Sequence, residues 1–372
     1  MHTLHAMYTL KRYEAALSVS EYFEKYVNVA EFLEYCKVCP NYDRLWSCPS
    51  YDFSQEAYWK EYRELFILGY KICFDEAVSK EGSMAIMEKV KADIGKERGI
   101  GKVYVGSMDP NPKVAGKGVQ ILRDHGVEVE TGLLEEECLS LNEIFFHYIT
   151  TKMPYVAMKY AMTLDGKIAS FSGDSKWVTG EKAREHTHFL RKKYRGILVG
   201  IGTVLADDPM LNCRIENGVD PVRIVCDSHL QIPLECQLVK TAKDIDTIVC
   251  YAEENEEKKK ALMEAGVQLI KAEKDGQVDL EKLMMELGSM EIDSVLVEGG
   301  GAIHGSFLTS GLVQKVYCYI APKMIGGKDA LSPVLGKGIE KMSDAVEITD
   351  VTVQNFGSDI CVSGHVKQKK EG

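Results

Sequence analysis

Residues 294–311 read SVLVEGGGAIHGSFLTSG. A short apolar run reaches Glu298, three glycines follow, and the next residues carry helical spacing. Such a strand-to-helix turn lets backbone N–H groups approach a phosphate at a helix N-terminus. The spacing is not GxGxxG, so the common dinucleotide fingerprint is absent. A tight turn that binds nothing fits the same residues. Outward from this turn the pattern repeats. Apolar runs lie at PYVAMKYAM (154–162), GILVGIGTV (196–204), VRIVCD (222–227), TIVCYA (247–252), VQLIKA (267–272) and VYCYIAPKMI (316–325). Helical patterns separate them: EKAREHTHFLRKKY (181–194), EEKKKALMEAG (256–266) and LEKLMMELG (280–288). Near-continuous apolar strands alternating with helices predict an α/β domain with a mostly parallel sheet, covered on both faces. The end, residues 346–366, predicts an antiparallel hairpin turning at NFGSD (355–359).

The chain has 372 residues, 45% apolar and 27% charged, so two or three globular domains are expected. Its charge is −11, from 45 basic and 56 acidic residues. That argues against broad binding to nucleic acid or anionic membrane, though a local basic pocket is compatible with it. No apolar run approaches the roughly 18 residues of a membrane helix, and the first residues carry no secretory h-region. Eleven cysteines, mostly single and in apolar runs, read as reduced and buried, which predicts a cytoplasmic protein.

Three segments differ in character. Residues 1–98 are predicted helix-rich, through 13–27 and 82–97, with a polar cysteine-containing loop at 36–53. Residues 99–150 predict a β-α-β-α order: strand GKVYVGSM, helix VQILRDHG with Gly126 as C-cap, strand VEVETG, and one helix over 133–149. Residues 151–372 form the long α/β unit.

Further clusters in that unit carry charge. GDSKWVTG (173–180) precedes a helix that Thr179 or Ser175 could cap. Arg184 and Arg191 are seven apart on that helix and share a face. Arginine can chelate phosphate through two N–H groups, but a solvated basic face fits as well. GTVLADDPMLNCR (202–214) places two aspartates and Arg214 in a loop after a strand, where α/β ligand sites gather; an Asx-type turn is the alternative. KYAMTLDGKIAS (159–170) puts Lys159 on a strand before an Asp-Gly turn.

The stretches PYVAMKYAMTLDGKIA, SGDSKWVTG, GTVLADDPMLNCR, PVRIVCDS, LVEGGGAIHGSFL and YIAPKMIGG, in this order, resemble the reductase domain of the bacterial bifunctional riboflavin-biosynthesis deaminase/reductase family. The resemblance implies a fold similar to dihydrofolate reductase. It also implies NADPH-dependent reduction of 5-amino-6-(5-phosphoribosylamino)uracil, a phosphorylated pyrimidine, to its ribitylamino product. Positions matching the family's substrate contacts are Ser175, Arg191, Leu211, Arg214 and Glu298. Positions matching its cofactor contacts are Ala161, Trp177, Thr179, Thr203, Asp207, Ser228, Gly300, Gly301, Ala302, Ile303, His304, Gly305 and Ser306. Lys159 matches a strand lysine facing the substrate, and Lys159 or Glu298 are the expected proton movers. The resemblance also implies a homo-oligomer.

Residues 102–152 resemble the last third of that family's zinc deaminase domain, a cytidine-deaminase-like α/β remnant. The H-x-E and P-C-x-x-C signature of such a domain is missing from the sequence, so deaminase activity is not expected, although an enzyme with both activities is the main rival reading. Instead, Cys36, Cys39 and Cys48 stand in CKVCPNYDRLWSCPS, which resembles a cysteine-rich metal-binding family over about the first 95 residues. Such thiolates suit zinc or an iron–sulfur cluster; free or redox-active thiols are the alternative, and a metal-binding or redox module is the third reading of the chain.

Overall fold

The computed structural model describes residues 8–18, 64–74, 102–111, 114–216 and 218–367, the first two stretches by their backbone. The chain divides into two compact units, Met1–Asn142 and Glu143–Gly372.

In the first unit, β1 (Tyr8–Ser18) pairs antiparallel with β2 (Glu64–Phe74). The helix expected over 13–27 is therefore strand as far as Ser18. Long-range pairing with the apolar run ELFILGYKICF overrides local helical spacing there. The helical pattern at 82–97 and the cysteines Cys36, Cys39 and Cys48 lie outside the described residues. Next come β3 (Lys102–Val105), α1 (Lys117–Asp124) and β4 (Glu128–Thr131), with β3 and β4 parallel. Val119 of α1 packs on Val127 and Val129, with Val103 and Val105 alongside. Gly126, at φ +80°, closes α1 as expected. Its N–H donates to the Arg123 carbonyl and that of Val127 to the Leu122 carbonyl, the paired bonds of a Schellman cap. The single helix expected over 133–149 is broken at Asn142 into α2 (Glu135–Leu141) and α3 (Glu143–Thr151). The Asn142 amide donates to the Cys138 carbonyl, a local bond that competes with helix continuation.

The second unit is built on a nine-stranded sheet. Its elements are β5 (Tyr155–Thr163), α4 (Glu181–Lys193), β6 (Gly196–Gly200), α5 (Ile201–Asp207), β7 (Val222–Cys226), α6 (Gln237–Lys240), β8 (Thr247–Tyr251), α7 (Glu256–Glu264), β9 (Gln268–Lys271), the short pair β10 (Glu273–Lys274) and β11 (Gln277–Val278), α8 (Leu280–Ser289), β12 (Ser294–Val297), α9 (Gly301–Thr309), β13 (Val313–Ala321), β14 (Ile348–Phe356) and β15 (Asp359–Val366). The strand order is β14-β15-β13-β5-β12-β6-β7-β8-β9. From β13 to β9 every pairing is parallel; β15 and β14 add an antiparallel hairpin at the end. The mostly parallel sheet and the closing hairpin are as the sequence predicts.

Successive strand residues face opposite sides. Leu198, Ile224, Ile248 and Val295 pack with Leu283, Met284 and Leu287 of α8 and Phe307 of α9. Ile197, Val199, Val225 and Val249 pack on the other face with Val204, Leu238 and Leu262, and Leu296 and Tyr319 with Ala183 and Leu190 of α4. Two of the expected strands are shorter than their apolar runs. GILVGIGTV turns at Gly200 into α5, and β13 stops at Ala321 before Pro322. Neither Thr179 nor Ser175 caps α4. The cap residue is Gly180, and its N–H donates to the buried Asp359 carboxylate at 2.6 Å, from the hairpin turn 179 residues away.

Candidate active site

The carboxyl ends of parallel strands and the helices that follow them are where an α/β sheet presents backbone N–H groups and side chains to a ligand. Here β6 runs directly into α5, and its neighbour β12 reaches α9 through the turn at residues 298–300. Glycines make the packing of these turns possible. A Cβ at Gly299 would lie 2.7 Å from the Gly200 nitrogen and the Val199 Cα. One at Gly305 would lie 1.6 Å from the Leu335 carbonyl oxygen, and one at Gly301 2.5 Å from that of Ser332. The segment 332–335 thus crosses the start of α9. It is held by Leu335 N–H to the Gly301 carbonyl and by buried His304, whose Nδ1 is 2.9 Å from the Pro333 carbonyl.

Gly300 differs: a Cβ there would meet only Thr203 Oγ1, at 3.6 Å. Its N–H donates to that hydroxyl at 3.0 Å. The first-turn N–H groups of Gly301, Ala302 and Ile303 are the donors that a helix leaves without intrahelical partners, and the side chains of Ala302 and Ser306 are exposed. A donor-rich helix start of this kind fits a pyrophosphate. Of the family-matched glycines, Gly301 and Gly305 serve packing by their own chain, and Gly300 has room for a Cβ in ordinary contact with Thr203.

Beside this turn is a charged cluster. In the sheet Met158 pairs with Val297, so Lys159 of β5 and Glu298 come side by side, with Tyr317 of β13 opposite Lys159. Lys159 Nζ is 3.9 Å from Glu298 Oε2 and 5.6 Å from the centre of the Tyr319 ring. From α4, Arg191 donates to both Glu298 oxygens, Nε at 2.8 Å and Nη2 at 2.9 Å, and through Nη1 to the Asn212 carbonyl at 3.0 Å. Burial pushes the Glu298 carboxyl up, but Arg191 and Lys159 outweigh it and hold the group at about 2. Burial, reinforced by Arg191, pushes the Lys159 ammonium below its ordinary range.

The loop 208–214 is anchored by its own network. The Asp208 carboxylate accepts from Gln237 N–H, Asp220 accepts from Cys213 N–H, and buried Arg223 reaches the Met210 carbonyl. Leu211 turns its side chain into the core, so only its backbone is available to a ligand. Asp207 and Arg214 are exposed. His188, one turn before Arg191, faces Arg214: its Nε2 is 3.3 Å from Arg214 Nε. Residue-type patterns alone do not single out His188; its i, i+3 spacing from Arg191 does.

Other matched positions are placed separately. Arg184 does not share ligand duty with Arg191: its guanidinium lies 4.6 Å over the exposed Trp177 ring and donates to the Thr179 carbonyl. Trp177's carbonyl accepts from Lys323. Asp165 binds the Thr163 hydroxyl and the Gly326 N–H, organising the turn after β5. Ala161 continues β5 beyond Lys159, and Ser175 is half-buried in the loop before α4. The Ser228 hydroxyl, at the end of β7, accepts from Val278 N–H of β11. No group of three or more metal-ligating side chains is gathered among the described residues.

A sheet of this topology, with a glycine turn and a buried Lys–Glu–Arg cluster at its strand ends, defines a small-molecule enzyme of the α/β class. Its family is shown by comparison. The model of the RibD C-terminal domain matches residues 154–362. Riboflavin biosynthesis protein RibD of Actinobacillus pleuropneumoniae is 52% identical over 270 residues, 72% of each chain. That of Bacillus amyloliquefaciens is 38% identical over 282 residues, 76% of each chain. Among solved structures, Acinetobacter baumannii RibD is 33% identical with a TM-score of 0.63, covering 74% of this chain and 76% of that one. The diaminohydroxyphosphoribosylaminopyrimidine deaminase/5-amino-6-(5-phosphoribosylamino)uracil reductase of Thermotoga maritima is 31% identical, also at 0.63, covering 81% and 88%. The chain belongs to the RibD family of riboflavin-biosynthesis proteins and carries its C-terminal, nicotinamide-dependent reductase domain.

Proposed function

We propose that residues 151–372 reduce 5-amino-6-(5-phosphoribosylamino)uracil to its ribitylamino product with NADPH. The observation that carries this reading is the Lys159–Glu298–Arg191 cluster lying beside the open glycine turn at Gly300.

When bound, NADPH would supply the hydride. Thr203 and the helix start at Gly300–Ser306 would hold its pyrophosphate, and Trp177, Thr179, Asp207, Ser228 and Ala161 would complete the cofactor contacts. The substrate sugar opens when the bond from its C1′ to the ring oxygen breaks; that oxygen takes a proton and the exocyclic nitrogen loses one, leaving a C1′=N imine. Hydride at C1′ and a proton on nitrogen complete the reduction. Lys159 is the proton donor, because burial makes its ammonium a stronger acid than an exposed lysine. Glu298 stays ionised and serves as counterion to Lys159 and Arg191, not as an acid. Arg191 has three N–H groups engaged by Glu298 and Asn212, so it fixes the carboxylate. Arg214, on the exposed loop, and Ser175 meet the substrate phosphate, with the Leu211 backbone beside them.

The reductive half of the pathway pair is the activity expected of this chain; residues 99–150 are read as a deaminase remnant and 1–98 as a separate segment. We read the protein as a cytoplasmic homo-oligomer. Free cysteines throughout the described residues support the reducing compartment, and exposed Val351 and Val353 on edge strand β14 support association. NADPH oxidation at 340 nm with the deaminated substrate, beside the undeaminated one, tests the reading. Turnover of the deaminated compound alone is expected; turnover of neither by the folded protein overturns it.

A further inference from the structure

We infer that His188 is a positioning residue that aims the Arg214 guanidinium at the substrate phosphate and so sets the preference for a phosphorylated sugar. The inference rests on the proposed substrate site and adds to it a residue outside the matched set.

The two arginines at this site differ in how much of each is spoken for. Arg191 is bound on three N–H groups by Glu298 and the Asn212 carbonyl, and the bond to that carboxylate cancels its charge locally. Arg214 has no carboxylate: among the described residues, the partner recorded for its guanidinium is His188. An arginine on an exposed loop explores many rotamers, and holding it costs side-chain entropy. One hydrogen bond at Nε restrains the planar guanidinium and leaves the Nη edge, the edge that binds phosphate through two parallel bonds, available.

The backbone reinforces the arrangement. His188 presents both faces of its role to one loop: its carbonyl accepts from Cys213 Sγ at 3.4 Å, and its Nδ1 lies 3.3 Å from the Arg214 N–H. A neutral imidazole has one acceptor nitrogen, so the ring accepts either from the Arg214 backbone N–H at Nδ1 or from the guanidinium at Nε2. The Nδ1–H tautomer, which gives up the backbone contact, is the one that serves the guanidinium. Burial first, then Arg191 and Arg214, hold His188 well below its ordinary pKa, at about 4, so the ring is a neutral acceptor at physiological pH. Glu298 is the one facing carboxylate that opposes this, and Arg191 and Lys159 already engage it.

The experiment measures dissociation constants of the full chain for the phosphorylated pyrimidine substrate and for its dephosphorylated counterpart, by calorimetry. His188→Ala is expected to lower the phosphorylated-to-dephosphorylated preference about tenfold, the worth of a hydrogen bond to a charged group. The affinity for the dephosphorylated compound should move little. His188→Gln, whose amide oxygen can still accept, should recover most of the preference. An unchanged preference in a folded His188→Ala protein overturns the inference, as does equal loss in the Ala and Gln variants. Binding is read without hydride transfer. Wild-type protein that binds the phosphorylated compound selectively without reducing it would therefore sink the proposed reaction and leave the role of His188 standing.

Discussion

Arg191 and Glu298, 107 residues apart, form a two-pronged ion pair of 2.8 and 2.9 Å between helix α4 and the end of strand β12. The pair is nearly buried, and Lys159 approaches the same carboxylate at 3.9 Å. Two cations and one anion in a half-dry site leave one positive charge over, on the side where a proton is needed.

Replacing Glu298 with Gln keeps the shape and removes the charge. Arg191 and Lys159 are then left buried without a counterion, which costs about 3 kcal/mol of stability. Thermal unfolding of Glu298→Gln should show that loss, and kcat/KM should fall at least about 100-fold. Near-normal turnover by this variant would contradict the counterion role.

The site also sets a pH dependence. A lysine with a depressed pKa loses its proton at lower pH than an ordinary one at 10.5. The alkaline limb of the kcat profile should therefore fall below that value, and Lys159→Met should lose both the limb and most of the activity.

Acid stability has a second carboxylate. Glu143 of α3 is almost buried, accepts from Tyr155 at 2.8 Å and meets Lys315 at 2.8 Å and His365 at 2.8 Å. Burial raises its pKa, but Lys193 and Lys315 outweigh burial and hold it at about 2, as at Glu298. Both carboxyls are depressed in the folded state. Their stabilisation is present above the ordinary 4.5 and is lost as pH falls from there toward 2. Glu143→Gln should flatten that acid limb of the unfolding free energy.

Gly300 and Gly305 should respond oppositely to alanine. At Gly305 the new Cβ would sit 1.6 Å from a backbone oxygen, so the loss is about 3 kcal/mol or more. At Gly300 the Cβ finds space, so melting should be unchanged while the dissociation constant for NADPH rises. Equal melting losses for both would refute the division of labour.

Asp359→Ala removes the acceptor for the N–H of Gly180, the residue that caps α4. A lost helix cap costs about 1–2 kcal/mol, readable as a lower denaturant midpoint at constant m-value.

Much of this was legible beforehand. The period of the apolar runs gave the parallel sheet, because strands buried on both faces leave no polar alternation. The glycines at 299–301 marked the turn, but not that Gly301 and Gly305 are required by residues 332–335, a loop with no signal of its own. The Glu298–Arg191 pair was out of reach, since two residues 107 apart meet only through the strand order. The same holds for Asp359 capping α4. Thr179 and Ser175 looked like better caps locally, and a distant carboxylate won. Residues 13–18 had helical spacing and became strand because β2 offered them a partner.

The strand order also has a consequence in time. β12 lies between β5 and β6, yet about 100 residues of chain separate it from β6 in sequence. During synthesis β5 and β6 emerge with a vacancy between them, and their facing edges stay unpaired until residues 294–297 arrive. The carboxylate that organises the charged cluster is thus delivered by the strand that joins the two halves of the sheet. A chain halted before Glu298 lacks both the bridging strand and the carboxylate that Arg191 and Lys159 share.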